Sequence, residues 1–361
     1  MFSDWNHGNA HFLRGIAAEL IARENDVQVF EPVDGWSRAN LIRDHGHEAL
    51  DDIERAFPVL HSETYDTNAP DIPAMTAGAD LVLVHEWSSP ELVAALGRYR
   101  RDAGYHLLFH DTHHRAVTQP DQMSRYDLSE YDGVLAFGQV LQHLYMERGW
   151  ARRAWTWHEA ADTTVFYPRA VEHSDGQLVW IGNWGDDERT RELHEYLMEP
   201  VQRLALRAHV YGVRYPPPVQ QALAESGITY RGWLPNHCAP SVFAAHSMTV
   251  HIPRAPYAHA LPGIPTIRPF EALACGIPLV SAPWDDCENL FTPGADFLVA
   301  RNGREMEEHL RLISSDPDLA DSLREHGLRT VTARHTCRHR VDELLEIARE
   351  IGVRSTGTEK R

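Results

Sequence analysis

Lysine is almost missing from this sequence. Lys360 is the only one among 34 basic residues, so arginine carries nearly all the positive charge. Any phosphate contact must then come from Arg, backbone amides or helix N-termini. Positive charge as a whole is also short: 34 basic against 52 acidic residues leave a net charge of −18. That balance argues against nucleic acid or an anionic membrane surface as the main partner. Cysteine is scarce, and Cys238, Cys275, Cys287 and Cys337 have neither CxxC pairing nor framework spacing. They read as reduced thiols. No apolar run approaches the roughly 20 residues that span a bilayer, and no secretory leader is evident. These absences lead to the expectation of a cytoplasmic protein without an integral membrane segment. Nothing in them selects an oligomeric state.

What is present is a normal globular balance, with 43% hydrophobic and 24% charged residues over 361 positions. That length suits two domains of roughly 150 residues each. Short apolar runs alternate with longer amphipathic stretches. Val27–Phe30, Leu81–Val84, His106–Phe109 and Gly133–Phe137 read as buried strands. The rhythm resumes at Leu178–Ile181, Ala208–Tyr211, Met248–Ile252, Pro278–Ser281 and Phe297–Ala300. Helical patterns such as His11–Arg23 and Pro90–Arg101 lie between them. Strand–helix alternation with near-continuous apolar strands marks parallel sheets covered on both faces. The expectation is α/β, with two Rossmann-like doubly wound domains facing across a cleft. The polar stretch around Pro168 and Glu172–Gly176 divides residues 1–165 from 172–337. A helix over 338–352, with Val341, Leu344, Leu345 and Ala348 on one face, and a polar tail over 353–361 follow. The chain opens almost directly on a loop, Asp4-Trp5-Asn6-His7-Gly8-Asn9, where a doubly wound domain places a buried first strand. A late start that removes this strand and a domain that tolerates a short one both fit. Asp4, His7 and Asn9 would lie beside a bound ligand, and Gly8 permits the tight turn.

The most informative stretch is Pro262–Leu279, PGIPTIRPFEALACGIPL. Pro269 opens a short helix that Gly276 closes. At its start, Glu271 can accept hydrogen bonds from paired ribose hydroxyls, or can serve as a helix-dipole carboxylate. Arg268 and the preceding amides suit a diphosphate. In the first half, His110-Asp111-Thr112-His113-His114 follows a buried strand, and strand C-termini project into the clefts where α/β proteins bind ligands. His and Asp suit proton transfer near neutral pH. A metal site is the competing reading, since His110, Asp111 and His113 lie close together, but zinc wants three or four converging ligands and no downstream set completes one. Glu86 is a similar strand-end acid, with a helix-terminal charge as its alternative. The pairs Asp186-Asp187 and Asp285-Asp286 read as solvated loop charge.

Phe270–Ala300, FEALACGIPLVSAPWDDCENLFTPGADFLVA, resembles the donor-domain signature of retaining glycosyltransferase family 4. HEAADTTVFYP (158–168), LVWIGNW (178–184), AHVYG (208–212) and ITYRGWLP (228–235) extend the resemblance backwards in the same order. With WNHGNAHFLRGIAAEL and HDTHHRAVT, the chain is most similar to the spore-maturation-type (CgeB-like) subgroup, over nearly its whole length. The resemblance implies a GT-B fold and transfer from a nucleotide-diphosphate sugar, used as co-substrate without a cofactor or metal, to a small-molecule or glycan acceptor. It implies that Glu271 contacts ribose, while Arg268 and the Gly263, Ile264 and Thr266 backbone hold the diphosphate. Gly232 and Trp233 would face the base, Asn183 and Trp184 would line the phosphate side, and His110 or His113 would meet the donor sugar. Asp111 would be the base if the enzyme inverts; if it retains, none is needed there. The chain also departs from the family pattern. The family's first Glu falls on Gly263, and its phosphate-binding Arg and Lys fall on Asn183 and Glu188. Arg189, Arg254 or Arg268 would have to compensate. A non-catalytic sugar-nucleotide or glycan-binding relative, and a metal-dependent hydrolase built on His110–His114, remain the alternatives.

Overall fold

A computed structural model describes residues 5, 8, 10–170 and 173–353. The expectations placed on Asp4, His7, Asn9 and the opening strand, and those on the tail beyond Val353, fall outside these residues.

The first half contains β1 (Val29–Pro32), β2 (Ser62–Tyr65), β3 (Leu81–His85), β4 (His106–Asp111), β5 (Gly133–Ala136) and β6 (Ala154–Thr156). The second contains β7 (Gly176–Ile181), β8 (Ala208–Tyr211), β9 (Ile228–Tyr230), β10 (His246–His251), β11 (Leu279–Ser281) and β12 (Leu298–Val299). Every strand pair is parallel. The second half forms one sheet in the order β12-β11-β10-β7-β8-β9. The first half is divided: β3-β4-β5-β6 form one sheet and β1-β2 a separate ribbon. The central strands are the apolar runs; β4 is buried at every residue but its first, and β5 throughout. The sequence pattern passed over β2 and β6 because neither is buried. The run Val27–Phe30, expected to be buried, instead leads into β1, where only Glu31 is buried, in the separate ribbon. An exposed strand needs no apolar run.

The core runs through both halves. Phe12, Leu108, Leu135 and Trp157 from the first pack with Phe270, Leu273, Val341 and Leu344 from the second in one cluster. The helix Cys337–Ile351 begins on a capping box, with Thr336 accepting from the His339 amide, and ends at Gly352 with φ 99°. It lies against the first helix, Ala10–Ala22. There, Gly15 leaves no room for a side chain: a Cβ would sit 2.5 Å from Cys337 Sγ. Trp157 Nε1 donates to Arg340 O at 2.9 Å and Arg23 pairs with Asp342 at 2.6 Å. The chain's last helix therefore fastens the two halves together. Burying Val341, Leu344 and Ile347 contributes about 1.5–3 kcal/mol each. No described helix is long and apolar enough to cross a membrane.

Candidate active site

A cavity of about 760 Å³ opens between the two halves. Its walls are strand C-termini from both: His85 and Trp87 at the end of β3, Thr112 and His113 after β4, Gly182 and Asn183 after β7, His251 and Arg254 around the end of β10. This is where parallel α/β sheets bind ligands. The volume lies within the range of small-molecule sites.

The helix Ile267–Ala274 points its N-terminus at this cavity, where Thr266, Ile267 and Arg268 form part of the wall. Thr266 has φ 65°, an unusual conformation for a β-branched residue, and its side chain makes no cap hydrogen bond. The helix's first amides are therefore available to an anion. Two further arginines border the same wall. Arg189 donates to the carbonyls of Ile252, at 3.1 Å, and Asn183, and stacks over Trp180 at 5.0 Å. Burial, then nearby Arg254, pushes its guanidinium down to about 9, which leaves it cationic at neutral pH. Arg254 pairs with Glu188 Oε2 at 3.0 Å. His251 is held neutral, its pKa lowered to about 3 by burial and by Arg189 and Arg268.

Glu271 is fully buried and both its oxygens are engaged. Oε2 pairs with Arg268; Oε1 accepts from Asn236 Nδ2 at 2.9 Å and lies 2.6 Å from His11 Nδ1. His11 Nε2 accepts the Asp162 amide at 3.4 Å, so its ring proton sits on Nδ1 and faces the carboxylate. Arg14 supports Asn236 at 3.1 Å. Burial raises the Glu271 pKa, but Arg268 and His11 outweigh it and leave the carboxyl below its usual range. Glu271 therefore holds Arg268 from behind the wall. A ribose could reach it only by displacing one of these partners.

Several residues expected at the site lie elsewhere. Gly263 and Ile264 belong to the contact between the halves. Gly263 has φ 87° and donates to Asp285 O at 2.6 Å, while a Cβ on Gly138 would stand 2.4 Å from the Ile264 side chain. Trp184 packs in the second half's core, 5.9 Å from Tyr215, and Trp180 takes its place on the cavity wall. Trp233 stacks on His45 at 4.4 Å beside a small side recess. Asn183 and Arg268 border that recess as well as the main cavity. Gly232 has φ 77° and accepts from the Gly212 amide at 2.8 Å, a turn-making role.

The histidine cluster divides in the same way. His113 lines the cavity, 5.0 Å from the Trp87 ring, but His110 does not. His110 is 1% exposed among Trp157, Phe12 and His85, with neither ring nitrogen hydrogen-bonded, and burial drives its pKa to about 3. Asp111 is fully buried; it accepts from Tyr145 Oη at 2.8 Å and from the His113 amide at 3.0 Å, so it shapes the turn that presents His113. Its pKa is raised to about 6 by burial. Glu86 is also fully buried, paired with Arg115, and raised to about 8 by burial and the Asp111 charge. β4 ends at Asp111 with both faces covered, so His110 and Asp111 are buried on its opposite faces, while Thr112 and His113, beyond the strand, reach the cavity. Among the described residues, no group of three metal-ligating side chains converges.

Sequence reasoning missed Glu159, just after β6. It is 5% exposed, lines the cavity, and has its pKa raised to about 8 by burial, then by the Glu271 charge, against a lowering by Arg268. Its position inside the HEAADTTVFYP stretch drew attention to the linker rather than to chemistry. Trp36 and Trp87 on the first half's rim were also missed, since a lone Trp carries no spacing signal; they are 52% and 43% exposed.

Solved structures share this arrangement over nearly the whole chain. HepE of Anabaena, solved in complex with UDP, superposes with a TM-score of 0.66 at 13% identity, covering 96% of this chain and 97% of that one. Sucrose-phosphate synthase of Thermosynechococcus elongatus gives 0.63 at 15%, covering 96% and 94%. A glycosyltransferase of Rickettsia africae gives 0.63 at 11%, covering 96% of each. The fold is GT-B. Within it, residues 189–346 match the family described as glycosyl transferase-like. No curated protein matches the sequence.

Proposed function

We propose that this GT-B protein moves a glycosyl group from a nucleotide-diphosphate sugar to an acceptor hydroxyl, without a metal and with retention, as a CgeB-like relative of family 4. The observation that carries the reading is one cavity wall on which a helix N-terminus and Arg189, Arg254 and Arg268 meet. A departing nucleoside diphosphate gains negative charge, and preorganised cations and amides stabilise it as it forms. Three guanidiniums supply the charge a metal would otherwise bring. Asp111, the base an inverting reaction would use, is tied to Tyr145 and the His113 amide, which favours retention. HepE was solved with UDP and with UDP-glucose, so a uridine donor is the first to test.

The acceptor side is the first half. Trp36 offers an indole at the cavity rim, and Trp87, with the Arg115 guanidinium over its ring at 4.2 Å, lines it with Tyr65, Thr67 and Ser88. An indole suits the C–H face of a pyranose, and hydroxyls at its edge suit that ring's hydroxyls. A sugar-bearing acceptor fits this rim. The four cysteines are free, in keeping with a cytoplasmic site of action.

The test is thermal shift with UDP-, GDP- and TDP-glucose, then donor hydrolysis and its anomeric outcome in EDTA. Stabilisation by one of them is expected, with slow hydrolysis that survives EDTA and is lost in Arg268→Ala. Hydrolysis that requires an added divalent cation, or inversion at the anomeric carbon, would overturn the mechanism.

A further inference from the structure

Glu159 stands apart from the other acids in and around the cavity. Glu271 is tied to Arg268, His11 and Asn236; Glu86 to Arg115; Asp111 to Tyr145; Glu31 to Arg38 at 3.3 Å; Glu188 to Arg254. Glu159 is 5% exposed, yet neither an ion pair nor a side-chain hydrogen bond engages it. Its oxygens are not sealed in the interior either: Glu159 forms part of the cavity wall and is absent from the fully enclosed, unsatisfied polar atoms. A buried carboxyl left without a partner loses hydrogen bonds that water gave it in the unfolded chain. Such a group persists where a ligand supplies the missing partners.

Its surroundings say which part of a ligand that is. Glu159 feels both Arg268 and Glu271, so it lies near the wall assigned above to the diphosphate. It also acts on Tyr257, another cavity residue. It comes from the first half, just beyond β6, whereas the arginines come from the second. A sugar joined to a diphosphate on Arg268 would leave the anion wall in the direction of the first half. The position is therefore beside the sugar, not the base.

We propose that Glu159 is the carboxyl that recognises the donor's sugar, bonding adjacent hydroxyls of an uncharged hexosyl group. The proposal rests on the transferase reading above. A carboxyl can accept from one hydroxyl and, when protonated, donate to the next. Burial and Glu271 together favour that protonated form near neutral pH, which also makes Glu159 a poor general base there.

The test compares each nucleoside diphosphate with its glucose conjugate, in uridine, guanosine and thymidine forms, by titration calorimetry on the full chain. Glu159→Ala is expected to weaken the glucose conjugate at least tenfold while the free diphosphate changes less than twofold. Glu159→Gln, which also donates and accepts, should retain most of the affinity and verifies that the site still folds. Parallel weakening of diphosphate and conjugate in Glu159→Ala, or no weakening of either, overturns the assignment. If no nucleoside diphosphate binds the unaltered chain, the transferase reading itself fails and takes this assignment with it.

Discussion

Glu271 and Arg268 form a buried pair three residues apart at the start of one helix, and a capping carboxylate and a ribose ligand would look the same at that spacing. Tertiary partners separate the two roles. His11 comes from the first helix and Asn236 from the segment before β10, both brought to Glu271 by folding. Removing one member of a buried ion pair costs about 3–5 kcal/mol, because the other charge is left unpaired. Glu271→Ala should therefore lower the urea midpoint sharply with an unchanged m-value, and Glu271→Gln, which can still pair with Asn236, should lower it less. A Glu271→Ala protein of normal stability that has only lost nucleotide affinity would instead mark a ligand-facing acid. Arg189 gives a second residue-scale expectation. Arg189→Ala should weaken nucleoside diphosphate binding, read by calorimetry, because it removes a fixed charge from the anion wall.

At the scale of elements, the helix Cys337–Ile351 was legible before folding was considered, through its apolar face and its position at the chain's end. What it packs against was not. Nothing local links Cys337 to Gly15 or Arg340 to Trp157. Thr336→Ala removes the N-cap acceptor and should cost about 1 kcal/mol by chemical denaturation. Gly15→Ala should cost about 1–3 kcal/mol, since its methyl group would overlap Cys337 Sγ and Asp162 Cβ in a close-packed helix contact. If Gly15→Ala proves neutral, the two helices can part without loss, and the fastening role assigned to the last helix fails. The strands divide on the same principle. β4, β5, β7 and β10 are central and buried, so each appears as an apolar run; β2 and β6 lie at sheet edges and have no such mark.

Across the whole molecule, buried ionisable groups set a pH dependence. Glu86 and Glu159 have folded pKa values near 8, above their ordinary range. The folded state holds their protons where the unfolded state has released them, so their contribution to stability is lost as pH rises through about 8. His110, His251 and His335 have folded values near 3. There the unfolded state binds the extra protons, so their contribution is lost as pH falls below about 6.5. Tm is expected to decline from pH 6.5 to pH 8.5. Glu159→Gln should flatten that decline, because it removes one of the two carboxyls responsible. A Tm that rises across this interval would show that Glu159 and Glu86 are ionised in the folded chain.

The sequence by itself determined the α/β alternation, the central buried strands, the helix after Pro262–Thr266 and the anion-ready arginine before Glu271. Each of these is a local matter of periodicity, caps and charge, written over a few neighbouring residues. Only the tertiary structure decided which of those residues face the cavity. The sheet is covered on both faces, so His110 and Asp111 at the end of β4 are buried, while His113, two residues beyond it, reaches the cleft. Closure of the two halves over one another likewise buried Glu159 at the cavity wall beside Arg268, far away in sequence. Burial and proximity of that kind arise from the packing of distant segments, and no local pattern encodes them.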